Sequence, residues 1–250
     1  MKHPIAFFAF FILAATTSAF AQPVVATTAW TAAYAQAAGA SEVSVLAPYE
    51  MAHPPEYELR PSDIQTIADA TLIIYAGYEV MVDRLVSASG EGATTLRITT
   101  GYAREILGAA IRAIADALGT QSEATESLAE LDRFLNEWSA ELRDSGLLDR
   151  AALVHFHQRG LAEELGLNVV GVFGPAPLEA RQISELTGME PTLIVDNGHN
   201  PIAAPIAETT GAAVAVWINF PGTDGTRTLL DVLAYNRADL RRAGGEGVTQ

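Results

Sequence analysis

From Pro23 onward, short β-branched runs alternate with alanine-rich amphipathic stretches, and this rhythm constrains the fold more than any other feature of the chain. Residues 24–30, 43–47, 71–76 and 95–99 read as strands, separated by helical stretches at 31–39, 61–70 and 79–89. Apolar strands separated by helices need crossover connections, which give a parallel sheet covered on both faces. The rhythm breaks over 102–148, where Ile106, Ile111, Ile114 and Leu118, then Leu128, Leu131, Leu135, Trp138 and Leu142, keep a helical period. This segment is predicted to be one helix or two, interrupted near Gly119. Alternation resumes with strands at 151–157, 169–173, 192–196 and 213–220 and helices at 159–165, 178–187, 201–210 and 226–242, leaving 243–250 as a frayed tail. The expected fold class is α/β: two lobes with mainly parallel sheets, joined by a long rigid linker helix, with a ligand cleft between them. The expected division is 1–21 leader, 22–101 N-terminal lobe, 102–148 linking segment and 149–250 C-terminal lobe.

The leader is read from Lys2, an apolar run over 5–15 and the small-residue triplet Ala19-Phe20-Ala21, with a cut before Gln22. It predicts a secreted, periplasmic protein. With no cysteine, the chain has no disulfide and no lipid-bearing residue behind the leader. The formal charge is −15, and removing Lys2, the only lysine, makes the remainder more acidic still. Such a field argues against nucleic acid as a partner and modestly favours cationic ligands.

Of the five histidines, His3 lies in the leader, and the other four fall at or just after predicted strand ends. His53 follows strand 43–47, His155 and His157 close strand 151–157, and His199 follows strand 192–196. Ligands of open parallel sheets bind beyond the carboxyl ends of the strands, so facing lobes bring these side chains to one cleft. Neutral imidazoles, with or without a carboxylate, suit divalent transition metals. Any one histidine alone is more often a core or surface residue; the shared position is what points to a metal site. His155 and His157, two apart on a strand, are expected to share a face, with His157 nearer the end. Asp196, three residues before His199, is a carboxylate candidate, and Glu50, Glu56, Asn219 or water compete for the fourth position. Glu79 reads as a solvated cap.

The segment "HPPEYELRPSDIQTIADATLIIYAGYE", with its Tyr57-x-Leu-Arg-Pro-Ser-Asp63 core, resembles the histidine-bearing loop, helix and strand of the zinc- and manganese-binding substrate-binding proteins of ABC importers, the ZnuA-like cluster. "DNGHNPIAAPIAETTGAAVAVWINFPG" and "LLDVLAYNRADL" resemble the C-terminal lobe of that family. The resemblance implies a monomeric periplasmic receptor that captures a divalent metal ion between lobes, zinc or manganese with iron(II) also admitted, and delivers it to an inner-membrane ABC permease. It also shows departures. The family's first histidine falls at Pro55, with His53 the nearest; its second, in Asp-Pro-His, has no counterpart near 99–102. The third matches His157, or His155 when counted back from Gly166, and the late aspartate falls at Asn219. His199 stands where many relatives are apolar and is read as replacing the missing histidine.

Two other readings stay open. A metal-dependent hydrolase would use similar ligands, although His-Glu-x-x-His, Gly-x-Ser-x-Gly and phosphate-loop motifs are all missing from the sequence. A binding protein for a metal chelate or small organic ligand would use Tyr49, Tyr57, Tyr78 and Trp217 as an apolar wall.

Overall fold

A computed structural model describes residues 22–245; the leader and the last five residues of the tail lie outside them. Strands β1 (Val24–Ala26), β2 (Val43–Val45), β3 (Leu72–Tyr75) and β4 (Thr94–Arg97) form one all-parallel sheet in the order β2-β1-β3-β4. Strands β5 (Ala152–His155), β6 (Val169–Phe173), β7 (Leu193–Asn197) and β8 (Ala213–Trp217) form the second, in the order β6-β5-β7-β8, again all parallel. In each sheet the first strand lies between two neighbours, so the strand order reverses beside it, and a crevice opens at its carboxyl end. A short strand, β9 (Pro221–Asp224), follows β8 where the sequence suggested only loop.

The helices follow from local chemistry. In α1 (Ala29–Ala37), the Thr28 hydroxyl accepts from the Thr31 amide and the Thr31 hydroxyl accepts from the Thr28 amide, a reciprocal cap that ends β1 early. The predicted strand 24–30 therefore stops at Ala26, and Trp30 becomes helical. Helices α2 (Pro61–Ala68) and α3 (Val82–Ala88) cover one face of the first sheet, and α7 (Ala180–Thr187) and α8 (Ala204–Thr210) one face of the second.

The segment between the sheets forms two helices, α4 (Arg104–Leu118) and α5 (Gln121–Asp144), with Gly119 left-handed at the break. They run antiparallel, because Arg104 at the start of α4 reaches Asp132 (3.2 Å) and Asn136 (2.8 Å) in α5. At 24 residues α5 is about 36 Å long. Its buried stripe, Leu131, Leu135, Trp138 and Leu142, joins a central apolar cluster that includes residues of both sheets, with Trp138 packed on Trp217 of β8 at 5.4 Å between centroids. One core is continuous behind both lobes, and each sheet adds a smaller outer cluster. Helices α6 (Arg159–Leu165) and α9 (Leu229–Gly244) complete the packing. Arg104 pairs with Glu164 of α6, and Glu141 of α5 pairs with Arg237 and Arg241 of α9.

Candidate metal centre

A cavity of about 330 Å³ opens between the lobes, and His53, His157 and His199 all line it. The N-terminal lobe adds Trp30 of α1, Pro54, Pro55 and Tyr78; the C-terminal lobe adds Asn197, Asn219 and Phe220.

His53 is carried on the loop after β2, at the entry to a 3-10 turn, Pro54–Glu56. That loop is pinned from two sides. The Val80 amide donates to the Pro55 carbonyl (2.9 Å), and the Asp63 carboxylate accepts from both the Tyr57 hydroxyl (2.8 Å) and the Arg60 amide (2.7 Å). The Tyr57 to Asp63 motif is thus a helix cap that holds the histidine loop.

His157 and His155 stay neighbours, with ring centroids 5.3 Å apart, but differ in burial. Strand β5 ends at His155, where a 3-10 turn, Phe156–Gln158, begins, so the strand alternation that the sequence reading used to put both on one face does not reach His157. His155 is fully buried, and its Nδ1 accepts the His157 amide (3.2 Å). Its ring lies against Gly174, where a Cβ would come within 2.6 Å of the His155 Nε2. Only glycine fits there, and its φ of +75° suits no other residue well. His157 is exposed at the cavity wall. Burial lowers the pKa of His155 to about 4, helped by His157; the protein around the ring of His157, whose residue surface is exposed, desolvates it in part and lowers its pKa too.

His199 lies flat on Phe220, its Nε2 without a hydrogen-bond partner and its amide donating to the Asn197 Oδ1 (3.2 Å). Burial, with His53 as a second cause, lowers its pKa to about 4. The cavity histidines whose pKa is lowered, His157 and His199, are therefore neutral at neutral pH, with nitrogen lone pairs available. As placed, the three cavity histidines line the wall without converging: among the described residues, no three His, Asp or Glu side chains are close enough together to hold an ion.

The carboxylate candidates go elsewhere. Asp196 is buried and accepts from the amides of Asn197 (2.8 Å), Ile202 (3.0 Å) and Ala203 (2.8 Å), tying β7 to the turn that enters α8. Glu50 sits 3.9 Å from Arg227, and Glu56 is exposed outside the cavity lining. Glu79 is buried, not solvated, accepting from Thr27 (2.5 Å) and the Ala76 (2.9 Å) and Gly77 (2.6 Å) amides. Of the proposed aromatic wall only Tyr78 lines the cavity; Tyr57 and Trp217 are core, and Tyr49 lies under the Arg227 guanidinium at 4.4 Å.

Sequence reasoning missed Trp30, Asn197, Gln158 and Phe220. Buried Gln158 donates from Nε2 to the Trp217 carbonyl (3.1 Å) and the Asn219 Oδ1 (2.8 Å). The available signal was position, since Asn197, Asn219 and Phe220 all stand at or just after strand ends.

Residues 24–123, the first sheet and the start of the helical hairpin, match the family model described as ZnuA, zinc-uptake complex component A, periplasmic. Over those residues the sequence is similar to ZnuA. Solved structures extend the likeness in fold to both lobes. The substrate-binding protein FpvC of Pseudomonas aeruginosa, in complex with Mn2+, superposes with a TM-score of 0.67 at 19% identity, covering 91% of this chain and 99% of FpvC. AdcAII of Streptococcus pneumoniae gives 0.69 at 17% identity, over 89% of this chain and 99% of its own. A Mn-bound periplasmic metal-binding protein of Candidatus Liberibacter asiaticus gives 0.65 at 15% identity, over 88% and 98%. No curated protein sequence matches this chain.

Proposed function

We propose that this protein is the substrate-binding component of an ABC importer for a divalent transition metal, zinc or manganese, with iron(II) as a third cargo. The observation that carries the reading is the placement of His53, His157 and His199 from both lobes on one cavity of a ZnuA-like fold. His53 is the ligand from the N-terminal lobe, and His157 and His199 are those from the C-terminal lobe, so a bound ion fastens the lobes together. His155 and Asp196 act behind the site: one supports the backbone of His157, the other the loop of His199.

The protein works as a monomer in the periplasm after loss of its leader, and hands its ion to the permease without chemistry. A hydrolytic metal site needs a general base, and beside the histidines the described residues of the cavity lining offer no carboxylate, only the amides of Asn197, Asn200 and Asn219 and the Tyr78 phenol. Nitrogen-rich sites favour zinc over manganese by intrinsic affinity, so any manganese preference has to come from geometry.

The test is metal content of the protein purified from a metal-replete periplasm, followed by competition between zinc and manganese. One tightly held ion per chain, without hydrolytic turnover, is the expected result. A protein that takes up no divalent metal from either source overturns the reading.

A further inference from the structure

The cavity is larger and differently lined than a bare ion requires. A water molecule takes about 30 Å³ of liquid, and small-molecule pockets begin near ~300 Å³; this cavity is about 330 Å³. Its walls are the rings of Trp30, Tyr78 and Phe220, surfaces that offer an ion nothing but would enclose an organic group.

Three asparagines line the cavity; Asn200 donates its Nδ2 to the Pro175 carbonyl (2.8 Å), and Asn197 and Asn219 decide the chemistry. Gln158 donates to a backbone carbonyl, that of Trp217, which fixes its Nε2 as the nitrogen facing this network. The same Nε2 meets the Asn219 Oδ1 at 2.8 Å, so that oxygen is turned toward a buried side chain. The Asn197 Oδ1 is fixed by a backbone donor, the His199 amide, at 3.2 Å. Both residues line the cavity, and while each oxygen already accepts a hydrogen bond, their amide N–H donors have no partner among the described residues and are the groups left for a ligand. An amide nitrogen does not ligate a divalent ion, but two such donors beside three imidazoles suit an oxygen acceptor that is itself bound to the metal.

We infer that the cargo is a divalent metal already carrying a small carboxylate ligand, with the ion taken by the histidines and the carboxylate oxygens held by Asn197 and Asn219. The inference rests on the metal-receptor reading above. The chain carries a formal charge of −15, so the favoured complexes are neutral or cationic, a metal with a mono- or dicarboxylate.

Zinc chloride titrated into the metal-free protein, with and without millimolar malonate, tests this. Malonate lowers free zinc, so a receptor for the bare ion binds more weakly at the same total zinc, whereas a receptor for the complex binds about tenfold more tightly. Radiolabelled malonate should be retained in equilibrium dialysis with zinc present and not without it. N219D exchanges a donor for an anionic acceptor and should reverse the sign, with tighter zinc and no malonate retention; its metal-free melting curve checks the fold. Zinc binding that malonate weakens, with no malonate retained by the wild type, overturns the inference and leaves the receptor reading standing. No zinc binding under either condition overturns both.

Discussion

The imidazole of His199 stacks on the ring of Phe220, with centroids 3.7 Å apart and planes 11° from parallel. The contact sets the plane of the imidazole and thereby the line along which its unpartnered Nε2 can meet an ion. Groups that orient a metal ligand typically contribute 10–100-fold in affinity. F220A is therefore expected to weaken metal binding by about tenfold or more, and F220Y to retain it, by calorimetric titration. Equal affinity for F220A and wild type would show that the stack does not orient the ligand.

Replacing each histidine should separate ligands from supports. H53A, H157A and H199A are each expected to remove most of the metal-dependent rise in Tm, which for the wild type is about 4 kcal/mol of stabilisation at a thousandfold excess over Kd. All three side chains stand on loops outside the buried clusters, so the metal-free Tm should hold. H155A should do the reverse: it removes a fully buried ring that accepts the His157 amide, so metal-free stability should fall by about 1–3 kcal/mol. Loss of affinity in H155A with an unchanged metal-free Tm would assign the ligand to His155.

Asp196 gives a second test of support against ligation. D196A leaves the amides of Ile202 and Ala203 without their acceptor and should destabilise the protein by about 1–3 kcal/mol. Zinc affinity measured well below the lowered Tm should stay within a few-fold of wild type. A hundredfold loss there would make Asp196 a ligand.

Acid acts on the same histidines with a definite sign. Burial holds His155 and His199 to about 4, below the ordinary histidine value near 6.5, and lowers His157 as well. Their contribution to stability is complete above about pH 6.5. As pH falls from there the unfolded chain gains protons that the folded chain refuses, and the contribution is gone once the pH has passed through about 4. Metal-free Tm should decline across that window. Because protons compete poorly for these rings, metal should leave at a pH below that of a free imidazole site. Full release at pH 6.5 in a dialysis series would contradict this.

Gly222 of β9 approaches the N-terminal lobe so closely that a Cβ would come within 2.2 Å of the Tyr49 carbonyl oxygen, with φ at 135°. Arg227 covers the Tyr49 ring in the same contact. G222V should push the lobes apart, seen as a larger radius of gyration by X-ray scattering and faster metal dissociation. An unchanged radius and dissociation rate would mean that this contact does not hold the cleft closed.

The two-lobe α/β fold was legible in the sequence because apolar runs such as 72–74 and 193–195 read as buried parallel strands whatever surrounds them, and the helical period over 104–142 needs no partner to be seen. The placement of histidines at strand ends was legible for the same reason, as was the Tyr57 to Asp63 motif, whose bonds are local. Tertiary structure alone decided which of His155 and His157 faces the cavity. Alternation gives the faces of a strand but not where it stops, and β5 stops where its pairing with β6 ends, at His155 opposite Phe173. It also decided the fate of Asp196, because a carboxylate before a helix can ligate or cap, and the turn from β7 into α8 brings three amides to it. Asn219 and Gln158 are 61 positions apart in the chain, so the bond that turns the Asn219 oxygen toward Gln158 exists only once the second sheet has formed.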